Sequence, residues 1–382
     1  MAGTTGVLGG AFRADVTTAG TIVPWDGSAP LAWHVAADDR WHSPADEVAV
    51  RQTRVSGAPV YETRVRVPGG DAVQRAWSVA DSGGLTLVEV VNDSPLPIAC
   101  AFTRRDLLTA RPPADVPIEG IELPEPTIVL PIGHRASVTV ALAHTAPAAG
   151  ALPARTAGAD ATARGWVARA EAASRVALPD AAADDLVAAR AEVLLAGAPD
   201  RDDDPTGFVL AVHELSRLGE LGGTALDDAV AEVAAAVHAV SRRDGWDVDA
   251  ALAAAAAVLV AAGEDRAARD VARIREGRTT DAPPMAAPGG VRCVAATERR
   301  LAADGVLLPA GIPEAWLGQG FEAHGLPVGP ASSVSFAVRW HGEHAAVLWD
   351  VAGAPVELRA PAVDAAWRTT DATGEALWRL GR

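Results

Sequence analysis

Apolar and polar residues alternate along much of the first 147 positions. In 47–55 and again in 60–67 apolar side chains stand two apart, the period of a strand with one face against a core. Ser56-Gly57-Ala58-Pro59 and Pro68-Gly69-Gly70-Asp71 supply the turns that follow them. The rhythm continues through 72–79, the turn Asp81-Ser82-Gly83-Gly84, 85–91 and the turn 92–95, with 98–103, 127–130 and 136–143 as further strands. Short strands with turn signals at about 8–12-residue intervals predict an antiparallel β-sandwich over 1–147. The Pro-rich piece 111–126 reads as an irregular connection within it.

Beyond Ala148 the period changes. The chain becomes Ala-rich and helix punctuation replaces turn clusters. Six helices are predicted, at 160–177, 180–197, 206–220, 224–242, 247–262 and 264–277. The fourth carries Leu226, Val230, Val233, Val237 and Val240 along one face, the alternation of three- and four-residue steps that an amphipathic helix needs. Short connections make successive helices antiparallel neighbours, so 156–280 reads as a domain of helical hairpins. After the linker 281–290 strands return at 334–340, 345–349, 355–360 and 367–380, and 290–382 is expected to form a β-rich domain packing on the N-terminal sandwich. The fold class expected is therefore multi-domain α+β, with a sandwich, an all-α segment and a β-rich tail.

Composition adjusts this picture in three ways. The 49 acidic residues outnumber the 33 basic ones, all of them Arg, and most of the resulting charge of −16 falls on the helical middle. Such a balance speaks against nucleic-acid or anionic-membrane partners, which need clustered cations on one face. Cys100 and Cys293 form no framework or CxxC motif. The N-terminus carries neither the basic nor the apolar region of a secretory signal, and the longest apolar run, 250–262, falls short of a membrane span. A soluble cytoplasmic protein is expected. Phosphate-binding loops and the GxSxG elbow are missing, and the His pairs at His341/His344 (with Glu343) and His34/His42 lack the ligands zinc requires, so neither cofactor nor metal is expected.

The segment 88–99 (Val-Glu-Val-Val-Asn-Asp-Ser-Pro-Leu-Pro-Ile-Ala), the hairpins of 180–277 and the tail 349–376 follow one another as sandwich, helical hairpins and β tail. In this order the chain resembles the glucoamylase-type glycosidases, whose helices form an (α/α)6 toroid. Six helices are half of that toroid, so the resemblance implies either a half-toroid or a different fold with similar parts. It also implies catalytic carboxylates on loops at one end of the helices.

Candidate residues follow from the loops. Arg242 to Asp249 places Asp244, Asp247 and Asp249 beside Trp246, the pairing of ring and carboxylates from which sugar sites are built. The same residues also suit helix capping and a hairpin seal. Glu214 on the third helix is a fourth carboxylate, with an alternative partner in Arg217 one turn on. Asp202, Asp203 and Asp204 in succession fit a solvated loop that feeds a helix cap. The eleven tryptophans are the other clue. Trp316 and His324 flank a Gly-broken stretch that could face a groove, while Trp25, Trp33 and Trp41 stand in irregular sequence. Two functions are expected from this. One is a carbohydrate-active protein that hydrolyses or only binds an oligosaccharide or polysaccharide, with Asp244, Asp247 and Glu214 catalytic and Trp246, Trp316 and His324 contacting the glycan. The other is a non-catalytic structural or interaction protein whose acidic helices present a partner surface.

Overall fold

The computed structural model describes residues 3–115, 118–146, 149–278, 283–284, 289–342 and 344–379. Within them the chain is mixed α+β, with seven α-helices and five sheets. It divides into two compact units, Met1–Val167 and Ala168–Arg382.

In the first unit the alternating segments pair as a seven-stranded sheet. Its order is Gly150–Ala151, Leu108–Thr109, Ser137–Ala143, Leu85–Asn92, Gly70–Val79, Tyr61–Val67 and Arg51–Arg54, and all pairings are antiparallel except the first. Tyr61, Thr63, Val65 and Val67 turn inward and their neighbours outward, as the two-residue period requires. Gly70 is fixed by contact: a Cβ there would lie 2.1 Å from the Asp93 carbonyl oxygen. A four-stranded sheet (Ile128–Ile132, Ile98–Phe102, Trp33–Ala36, Trp41–His42) and a three-stranded one (Gly3–Gly6, Arg13–Val16, Ile22–Pro24) share its core, through residues such as Val65, Val88, Cys100, Leu130 and Val16. Where alternation predicted a strand over 47–55, only Arg51–Arg54 pairs, and it forms the sheet edge while Val48 points into solvent. The irregular-looking N-terminal segment holds five short strands, and Trp33 is buried in one of them.

A row of hydroxyls crosses this sheet. Thr5 Oγ1 lies 3.5 Å from the Pro59 carbonyl oxygen and 3.0 Å from Ser78 Oγ. Ser78 Oγ is 2.9 Å from Thr86 Oγ1, which is 2.9 Å from His144 Nε2. The His144 ring stacks on Phe12 at 4.1 Å.

The second unit is built on helices and two sheets, the division between units falling within α1 (Ala159–Ala170). α2 is Ala182–Ala196, α3 Pro205–Arg217, α4 Thr224–Val240, α5 Trp246–Ala261, α6 Asp265–Arg275 and α7 Val291–Leu301. The local causes are visible in the sequence. Asp204 caps α3 by accepting the Gly207 N–H at 3.0 Å, with Pro205 in the first turn. α4 buries Val233, Val237 and Val240, and α5 buries a run of alanines that admits close neighbours. The core of α3 to α6 is separate from a second core in which α2 and α7 pack on the strands after residue 302. Those strands form a five-stranded antiparallel sheet (Arg175–Ala177, Phe321–Gly329, Ser332–His341, His344–Gly353, Thr373–Trp378) and a four-stranded one (Ala302–Ala303, Val306–Leu307, Leu358–Ala360, Asp364–Thr369).

Two expectations are corrected here. The first helix ends at Ala170 rather than 177, because Arg175–Ala177 pairs with Phe321–Gly329 and buries Val176 in the sheet core. α7 lies where only strands were expected, and buries Val294, Glu298 and Leu301 on one face. Part of the predicted linker, 281–282 and 285–288, and Glu343 lie outside the described residues. Among the described residues no helix is long and apolar enough to cross a membrane.

Candidate functional site

The second unit holds an open-mouthed cavity of about 240 Å³. α5 provides one wall through Ala250, Ala253, Ala254 and Ala257, and α7 another through Val291 and Val294. The small side chains of α5 create this space: an alanine helix faces α3 and α7 without filling the gap between them. Its lining is mostly apolar, as in small-molecule sites, and its volume lies just below their usual range.

Two charged clusters border the cavity. In the first, Arg190 is 1% exposed and uses every N–H it has. Its Nε donates to Glu214 at 2.6 Å, Nη1 to the Ala170 and Ser174 carbonyls, and Nη2 to Ser174 Oγ at 2.6 Å and Glu298 at 2.8 Å. Arg217 Nη1 donates to Glu214 and to Glu298, each at 2.8 Å. Burial would raise the Glu214 pKa, but the Arg217 and Arg190 guanidiniums outweigh it and hold the group at about 2. Burial would likewise lower Arg217, and the two glutamates reverse that and raise it.

In the second cluster Asp249, 4% exposed, accepts from Arg275 Nε at 2.6 Å and Nη2 at 2.7 Å, and also from Arg299. Arg275 Nη1 donates to Asp304 at 2.7 Å. Asp304 has a φ of 50° in the tight Asp304-Gly305 turn joining two short strands, a conformation that costs a non-glycine residue. Burial would lower the Arg275 pKa, but its bonds to the two aspartates raise it; in Arg299 burial prevails and lowers it.

His213 lines the same cavity from α3. Among the described residues neither of its ring nitrogens has a hydrogen-bond or ion-pair partner. Burial, with Arg217 alongside, brings its pKa down to about 4, so the ring is neutral at pH 7. An unfolded histidine titrates near 6.5. Between those values the unfolded chain binds the extra proton, so stability due to this group is constant above about pH 6.5 and falls as the pH drops toward 4. We expect His213→Leu to remove about 2 kcal/mol of the stability lost between pH 7 and pH 5, read as the difference between wild-type and variant urea midpoints at the two pH values. An unchanged slope would contradict the assignment.

The carboxylates expected to act together do not meet. Asp247 accepts from Arg292 Nε at 2.9 Å, and Arg292 also holds Asp204 through two bonds of 2.7 Å at the start of α3. Glu214 lies ten residues further along α3, about 15 Å at 1.5 Å per residue. Glycosidic carboxyl pairs stand about 5–9.5 Å apart. Asp244 projects fully into solvent, with Arg278 at 3.0 Å. Glu214 is held in ion pairs with Arg190 and Arg217. Asp247 and Asp204 become helix-end partners of Arg292.

The expected contact residues are also dispersed. Trp246 is the half-buried first residue of α5. Trp316 is buried and tilts against Phe321 at 5.1 Å in the sheet core. His324 lies on the strand Phe321–Gly329, half exposed and 3.4 Å from Glu322. Trp41 donates its Nε1–H to the Glu119 carbonyl at 2.8 Å, whereas Trp25 is 51% exposed. Of the residues that do converge, only the Glu214–Arg217 pair was legible as a one-turn step. Arg190, Glu298, Arg275, Arg299 and Asp304 come from elements far apart in sequence, and no local spacing marks them.

No protein-family model, curated protein or solved structure matches this chain.

Proposed function

We propose that the second unit is a small-molecule-binding module, its ligand held in the alanine-lined cavity by apolar contact and by one hydrogen bond to His213. The observation that carries this reading is a mostly apolar cavity into which a half-buried, neutral imidazole is set with no hydrogen-bond partner among the described residues. The reading favours binding over hydrolysis. The carboxylates that border the cavity are consumed by arginines, and among the described residues no Trp, Tyr or Phe ring lines it for a pyranose to stack on. A glycan ligand therefore draws its support from the tryptophan-rich sequence rather than from this cavity. On the same reading, the first unit is a β-sandwich, and α1 to α6 are helical hairpins whose small-residue faces shape the site.

Filling the cavity tests the reading. Ala257 lies on its wall and is partly exposed, so Ala257→Phe adds a ring where there is space. Apolar fragments are expected to raise the melting temperature of the wild-type protein, followed by tryptophan fluorescence, and to leave that of the folded variant unmoved. Equal shifts in both proteins would refute the cavity as the site.

A further inference from the structure

We infer that the ligand is electrically neutral: an apolar body carrying one uncharged hydrogen-bonding group, such as an alcohol or an amide. This deepens the cavity reading above and rests on it. The charged groups bordering the cavity are balanced within their own clusters. Glu214 and Glu298 face Arg190 and Arg217, with contacts of 2.6–2.8 Å. Asp249 and Asp304 face Arg275 and Arg299, and Asp249 is bonded to both arginines. A carboxylate entering the cavity meets no cation without a counter-charge, and an ammonium meets no free carboxylate. Either would surrender its hydration to a wall of alanine, valine and leucine, a cost of several kcal/mol for an unpaired ion.

His213 makes the complementary demand. Its neutral imidazole offers one N–H donor and one lone pair. An alcohol or an amide, being both donor and acceptor, satisfies either nitrogen. Protonating the ring to meet an acid is opposed by burial and by Arg217, which outweigh the pull of Glu214 and Glu298. An amine that stays charged brings only donors and a charge the site does not neutralise.

A matched set of probes sharing one body decides the matter: 2-naphthylmethanol, 2-naphthoate, 2-naphthylmethylammonium and 2-methylnaphthalene, titrated at pH 7 into the full chain and followed by ligand-observed NMR. The alcohol is expected to bind about tenfold or more tighter than either ion. His213→Phe should reduce the alcohol to the affinity that the hydrocarbon has for the same variant. If the naphthoate or the ammonium binds as well as the alcohol, the neutral-ligand inference fails while the cavity reading stands, provided Ala257→Phe blocks all of them. If none of the four binds, both fail.

Discussion

Replacing Arg190 by alanine is expected to destabilise the second unit by about 3–5 kcal/mol, the cost of breaking a buried ion pair from one side. The change removes five hydrogen bonds at once: two to carboxylates, two to the Ala170 and Ser174 carbonyls and one to the Ser174 hydroxyl. It leaves Glu214 and Glu298, at 2% and 4% exposure, to share Arg217 alone. Two carboxylates facing one guanidinium carry a net negative charge in a dry site, and one of them must take up a proton. The loss should therefore shrink as the pH falls toward 4, opposite to the wild-type trend, in which Glu214 stays ionised to about pH 2. Urea unfolding of wild type and variant at pH 7 and pH 4.5 checks both parts. A loss below about 1 kcal/mol at pH 7 would mean that the cluster is solvated rather than buried.

Trp378→Ala is expected to cost about 3–5 kcal/mol as well, by a different route. Trp378 is fully buried at the end of the last strand. Its ring meets Trp367 edge-on at 5.6 Å, and Trp367 meets Trp349 at 5.4 Å, so three rings lock the final strand onto His344–Gly353. Truncation opens a cavity the rigid neighbours cannot close and should lower the melting temperature by on the order of 10 °C. Trp378→Phe separates packing from polarity. Among the described residues the indole N–H of Trp378 has no acceptor, so phenylalanine keeps much of the ring contact and discards a buried, unsatisfied donor. It should retain well over half of the stability that alanine loses. Equal losses from both substitutions would show that the N–H is bonded after all.

The contrast between these two sites explains what could be read from the sequence. Strands such as Tyr61–Val67 were legible because each residue's neighbours two positions away share its face. The ends of α2 to α6 were legible because caps and breakers are local, as Asp204-Pro205 shows at α3. α7 has the same three- and four-residue spacing in Val291, Val294, Ala295, Glu298 and Leu301, but two of its inward positions are occupied by Glu298 and Thr297, which a hydrophobic pattern reads as surface. Burial of Glu298 depends on Arg190, more than a hundred positions upstream. The site was missed for the same reason. The loop carboxylates Asp244 and Asp247 were conspicuous because they were close in sequence, whereas the groups that gather in space come from α2, α3, α5, α6 and α7. His213 stands next to Glu214 in the sequence, but a ring that lacks a partner leaves no further pattern behind.

The hydroxyl row in the first unit has a direction. At its far end the Pro59 carbonyl can only accept, so Thr5 must donate to it and must in turn accept from Ser78. Ser78 then accepts from Thr86, and Thr86 accepts from His144 Nε2. Each hydroxyl has one proton to give, so no link can reverse without orphaning another. One carbonyl thereby selects the Nε2–H tautomer of an imidazole 85 residues away in sequence, and leaves Nδ1 as the ring's bare lone pair. The place of one imidazole proton is written by the backbone carbonyl of a proline.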